Sequence, residues 1–111
     1  MNNTLVSDTD VDKALAYLRD SAQSASKAKA ERIYMVEYTK SLKAILMSES
    51  DEKTSAAKEM QALADQRYLD HITALRTAVE NEEKLKFLRE AASAKISAWQ
   101  TFNANIRSMK I

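Results

Sequence analysis

The stretch DQRYLDHITALRTAVENEEKLKFLREAASAKISAWQTFNANIRSM, residues 65–109, decides the fold. Apolar residues recur through it three or four apart, at Tyr68, Ile72, Leu75, Val79, Leu85, Leu88, Ala92, Ile96, Trp99, Phe102, Ile106 and Met109, which is the period of one long amphipathic helix. At a rise of about 1.5 Å per residue such a helix is on the order of 60 Å long, more than a small globular domain can wrap. Its stripe therefore needs another extended helix as cover, and the first half of the same chain is the natural candidate.

The composition supports this. Among 111 residues there is no glycine, no proline and no cysteine. Turns that need positive φ and breaks marked by proline have lost their usual residues, so strands and loop-built sites are disfavoured and an all-α chain follows. A hydrophobic share of 45% at net charge +1 is too apolar for a disordered tail. The absence of cysteine removes disulfides and thiolate metal sites, as in a reducing compartment. The first ten residues are polar and acidic, unlike a signal peptide, and no apolar run approaches a membrane span. A cytoplasmic protein is expected.

Working outward, Thr9 or Asp10 is a plausible N-cap for a first helix over residues 9–47, with residues 1–7 frayed before it. Its stripe reads Val11, Leu15, Leu18, Ala22, Ala25, then Ala28, Met35, Tyr38, Leu42, Ile45. Residues 48–53 are polar and form the connection, and a short helix over about 54–64 follows, capped by Thr54 or Ser55. Asp65 looks like the N-cap of the last helix, about 66–108, although one uninterrupted helix from Thr54 fits the same residues. The whole chain, 1–111, reads as a single domain: a long antiparallel, coiled-coil-like helical hairpin with a short helix in the connection. Laying residue 9 beside residue 106 gives a register in which partners sum to about 115. That sets Val11, Leu15 and Leu18 against the anchors Trp99, Phe102 and Ile106, Ser21–Ser26 against Ala91–Ala94, and Lys29 and Arg32 near Glu82 and Glu83.

One segment exceeds what a two-helix hairpin can bury. In Ile33-Tyr34-Met35-Val36-Glu37-Tyr38 nearly every residue is apolar, so Ile33, Tyr34, Val36 and Tyr38 are the candidate interface of a homo-oligomer, a dimer first.

Charge is uneven along a chain that is almost neutral overall: −2 over residues 1–20, +3 over 27–43, −5 over 49–83 and +5 over 84–110. In the last block Lys84, Lys86, Arg89, Lys95, Arg107 and Lys110 surround Phe87, Trp99 and Phe102, so cations able to neutralise phosphates stand beside aromatics able to stack bases. Nucleic-acid binding is one reading; core aromatics beside a solvated basic face is the plainer one. His71, the only histidine, has Arg67, Tyr68, Ala74 and Leu75 as helical neighbours and so lacks the partners of a metal site. Glu80, Glu82 and Glu83 are followed directly by Lys84 and Lys86, which suits a solvated or register-setting face better than acid–base catalysis. The serines lack a nucleophile elbow, and without glycine there is no phosphate loop. No enzyme and no cofactor are expected.

Val11-Asp-Lys-Ala-Leu-Ala-Tyr-Leu18, Ala28-Lys-Ala-Glu-Arg32, Glu52-Lys-Thr54 and above all Trp99-Gln-Thr-Phe-Asn-Ala-Asn-Ile-Arg107 can be taken together. They resemble a group of small, uncharacterised helical proteins of tailed bacteriophages, similar in order over nearly the whole chain, whose genes tend to lie among those for phage replication and recombination. The relatives often carry a proline before the last helix, where this chain has Ala64-Asp-Gln-Arg67. The resemblance implies a non-enzymatic accessory in phage DNA replication or recombination, in the host cytoplasm, acting through a phage or host protein partner. Direct nucleic-acid binding and inhibition of a host enzyme are the alternatives.

Overall fold

The computed structural model describes residues 6–109, and three helices account for nearly all of them: α1 (Asp8–Ser48), α2 (Ser55–Ala64) and α3 (Gln66–Met109). The start of α1 is set by Ser7. Its Oγ accepts from the Asp10 N–H at 3.1 Å while its own N–H donates to Asp10 Oδ2 at 3.0 Å, a reciprocal capping box. The cap thus precedes the expected Thr9 or Asp10, because Ser7 and Asp10 have the spacing that satisfies two backbone donors at once. Of the segment expected to fray, residues 1–5 lie outside the described residues, and Ser7 is held by this box.

At the other end of α1 the Glu49 N–H donates to the carbonyls of Ile45 and Leu46, at 3.2 and 3.3 Å, and Ser50 N–H to Met47 O at 3.1 Å. The chain then turns without glycine, since no described residue needs positive φ. Thr54 is extended (φ −110°, ψ 154°) and its side chain accepts from the Ala57 N–H at 3.1 Å, which caps α2. Lys58 Nζ reaches the Ser50 carbonyl at 3.1 Å, Ser50 Oγ donates to Gln61, and Lys43 pairs with Glu59, so α2 is tied both to the connection and to α1.

The break between α2 and α3 rests on Asp65. It is extended (φ −66°, ψ 138°) and its N–H still donates to Ala62 O at 3.2 Å, closing α2. Its Oδ1 accepts from the Arg67 N–H at 2.8 Å, opening α3. The Arg67 guanidinium bonds the same carboxylate at 3.0 Å and reaches Glu49 Oε1 at 2.9 Å. One aspartate thus closes α2 and opens α3. Those bonds, side chain first and backbone second, hold the Asp65 carboxyl below its ordinary value, and the two carboxylates raise the Arg67 guanidinium. The Ser7 N–H, then the Ser7 hydroxyl, likewise lower Asp10.

The protein is all-α, and α1 and α3 pack against each other as an antiparallel hairpin. Contacts divide it into two units, one made of the chain up to Ser26 with the chain from Glu83, the other of Lys27–Glu82. In the second unit the positions turned away from solvent are Ala28, Arg32, Met35, Thr39, Leu42 and Leu46 of α1 and Tyr68, His71, Leu75, Ala78 and Glu82 of α3, spaced alternately three and four apart as in a coiled-coil seam. Leu42, Leu46 and Ala62 form its buried cluster, with Met47 and Tyr68 against them. In the first unit the seam holds Val11, Ala14, Leu18, Ser21 and Ala25 opposite Leu85, Arg89, Ala92, Ile96, Trp99 and Ile106.

The register agrees with the expectation at one layer and differs at two, and the faces differ. Arg32 meets Glu82 as expected, whereas partner numbers add to 110 rather than about 115 for Ser21 with Arg89 and for Thr39 with His71. The seam also takes the residue beside many of the expected stripe positions: Ala14 rather than Leu15, Ser21 rather than Ala22, Thr39 rather than Tyr38, His71 rather than Ile72, Ala78 rather than Val79, Arg89 rather than Leu88. Small and polar residues fill it while larger apolar ones stand at its edge. Among the described residues, no helix is long and apolar enough to cross a membrane.

Candidate interaction surface

The seam carries three polar layers, each satisfied across the helix pair. In the Lys27–Glu82 unit Arg32 meets Glu82 through two bonds, Nε to Oε2 at 2.5 Å and Nη2 to Oε1 at 3.1 Å. Farther along, Thr39 Oγ1 donates to the Met35 carbonyl at 2.9 Å, so its 2.8 Å contact with His71 Nε2 requires the imidazole to be the donor. That puts a proton on Nε2, which also lies 3.0 Å from Met35 O. Tyr38 packs edge-on against the His71 ring at 5.3 Å and stacks with Tyr34 at 6.1 Å. His71 is a seam residue, and no cluster of metal-ligating side chains occurs among the described residues. In the other unit Arg89 Nη1 donates to Leu18 O at 2.8 Å and to Ser21 Oγ at 2.7 Å.

Because the helices are antiparallel, the residue after a seam position points to one side of the pair on both helices, and the residue before it points to the other. The grooves fit this rule: one is lined by Lys13, Tyr17, Leu88 and Lys95 over Ala14 and Ala92, another by Glu31, Ala74 and Asn81 beside Met35 and Ala78. Applied to the Lys27–Glu82 unit, the rule collects Ile33, Val36, Leu69, Ile72 and Val79 on a single flank, each 38% to 47% exposed. With partners summing to 110, they fall level with residues 31–41 of α1, a patch about 15 Å long at 1.5 Å per residue. The apolar spacing alone places Ile72 and Val79 on the inward stripe and omits Leu69; the strict three–four spacing of the seam residues is the signal that turns all three outward.

The same rule divides the expected oligomer patch. Ile33 and Val36 lie on the aliphatic flank, whereas Tyr34 and Tyr38 stand on the opposite side beside His71. The basic set is divided too. Arg89 is turned into the seam, where its guanidinium is occupied by Leu18 and Ser21, so it is not part of a phosphate-facing row. Lys86 and Arg107 follow seam residues and Lys84 and Lys95 precede them, which places the pairs on different sides of α3; Lys110 lies outside the described residues. Trp99 is half-buried in the seam, as are Phe102 and Ile106 beside it, but its indole N–H donates to Asp8 Oδ1 at 2.8 Å. It therefore ties the first turn of α1; Val11, whose number sums with Trp99 to 110, is buried in the facing seam as expected, whereas Leu15 is half-exposed.

Compared with family models, curated proteins and solved structures, the chain matches none of them.

Proposed function

We propose that this is a non-enzymatic helical interaction protein that works by offering the aliphatic flank of its Lys27–Glu82 unit to a protein surface. The observation that carries the reading is the inversion of the usual pattern there: polar residues are spent inside the seam, on Arg32–Glu82 and Thr39–His71, while Ile33, Val36, Leu69, Ile72 and Val79 face outward. Arg76 and Lys40 stand in the same row, paired with Glu80 and Glu37, and exposed aliphatic side chains concentrated on one flank of a small protein mark an interaction site. The resemblance to small helical phage proteins supplies the setting in which such a contact would be used, as an accessory to phage DNA replication or recombination.

A photo-cross-linking amino acid placed at Ile72 tests this in cells. Covalent protein adducts are expected from that position and from Ile33, and not from Tyr34, which stands on the opposite side of the same unit. If neither flank position yields an adduct above the Tyr34 background, the flank is not an interface.

A further inference from the structure

We propose that the aliphatic flank of the Lys27–Glu82 unit is covered by a second copy of this chain, so that two hairpins pair face to face; this rests on the reading of the flank as an interface. The first support is the interior. No large side chain is fully buried among the described residues, and the buried apolar set is mostly alanine: Ala14, Ala28, Ala62 and Ala92 beside Val11, Leu42 and Leu46. A chain with so little core of its own gains most by sharing one.

The second support is the pattern. Apolar residues at seam positions plus the position that follows them make the wider stripe of helices packed in bundles of more than two, not the narrow seam of a two-stranded coiled coil. Val36, Ile72 and Val79 occupy that following position. The third support is charge. In a two-fold contact each residue meets the same surface, so unbalanced like charge within or beside the patch would repel. Lys40 is paired with Glu37 at 3.4 Å, Arg76 with Glu80 at 3.3 Å, and Lys43 with Glu59. These cations are balanced within their own chain, leaving an oppositely charged partner little to hold while permitting a copy of the same face. Lys29 stands at the margin, beyond the patch.

Sedimentation equilibrium on the full chain should give twice the 12.5 kDa chain mass at tens of micromolar. Ile72→Lys with Val79→Lys should weaken the association by about a hundredfold or more, while Tyr34→Lys on the opposite side leaves the mass unchanged. Should the double variant lose its helical signal, the cysteine-free chain allows a second measurement. A spin label on Ile72→Cys should report a short distance to its counterpart in the other copy, absent for Tyr34→Cys. A monomer mass at several hundred micromolar overturns the proposal, as does a dimer that Tyr34→Lys dissociates and the flank substitutions do not. In-cell adducts at Ile72 whose mass is not that of two chains would overturn the second copy as occupant while leaving the flank an interface, so the two readings fail separately.

Discussion

Replacing one member of the Arg32–Glu82 layer and leaving the other tests whether polar contacts hold the seam together. The side chains retain 33% and 21% of their exposure. An exposed ion pair is worth about 0 to 1 kcal/mol, and removing one partner from a buried pair costs about 3 to 5 kcal/mol because the other charge is left desolvated. The guanidinium reaches both carboxylate oxygens, and both side chains are only partly exposed. The expected cost of Arg32→Met or Glu82→Met is therefore about 2 to 3 kcal/mol. In a domain of about 100 residues 1 kcal/mol moves Tm by about 4 to 8 °C, so each single variant should melt about 8 to 24 °C lower. Arg32→Leu combined with Glu82→Leu removes both charges and makes the layer apolar, and it should melt near or above the parent. Urea and thermal unfolding, all at one protein concentration because association would shift Tm, give the cycle. Single variants within 0.5 kcal/mol of the parent, or a double variant as unstable as the two losses added, would refute the reasoning.

Asp10 and Asp65 are both held below the ordinary 3.8, so their capping contributions are present above that value and lost as pH falls through the lowered ones; Tm should hold from neutral pH to about 5 and fall below about 4. Asp65→Asn with Asp10→Asn should flatten that fall when Tm is followed against pH. Among the described residues the Tyr17 hydroxyl is buried without a hydrogen-bond partner, so Tyr17→Phe should leave unfolding free energy unchanged or raise it by up to about 1 kcal/mol; a loss would mean that the hydroxyl is satisfied. Trp99→Phe keeps the ring and loses the bond to Asp8, so it should speed amide exchange in the first turns of α1 with little change in Tm. Trp99→Ala should cost about 2 kcal/mol, below the usual 3 to 5 kcal/mol because the ring is only half-buried.

The helices themselves were legible because a glycine- and proline-free chain with apolar residues three and four apart has few other ways to bury them. Thr54 was legible as a cap, since its hydroxyl has a backbone donor three residues on. The break at Asp65 stayed open because it depends on Arg67 and Glu49, and a contact between residues 18 apart is not a local signal. The faces were misread for a more general reason. Choosing the largest apolar residue at each turn selects Leu15, Tyr38, Ile72 and Val79, and the period of 3.6 is satisfied equally by the neighbours Ala14, Thr39, His71 and Ala78. Hydrophobicity alone cannot separate two stripes one residue apart; only the partners of Arg32, Thr39 and Arg89 on the facing helix do. Aligning the two chain ends then placed the register about one turn too far.

A seam rich in alanine fixes register poorly, because an alanine layer displaced by one heptad meets much the same neighbours. The polar layers differ from one another, and that is what distinguishes one register from the next. Ser21 can satisfy Arg89 only where a backbone carbonyl, that of Leu18, stands one turn away to take the same Nη1. Thr39 needs an imidazole donor at His71, since its own proton is committed to Met35. Arg32 and Glu82 add to 114 rather than 110 because both side chains are long enough to lean about one turn along the seam, so this pair tolerates small displacements that the shorter Thr39–His71 contact does not. Polar groups placed inside specify alignment at some cost in stability. The aliphatic side chains they displace stand one position away, so the contacts that hold the hairpin in register also define the surface it presents.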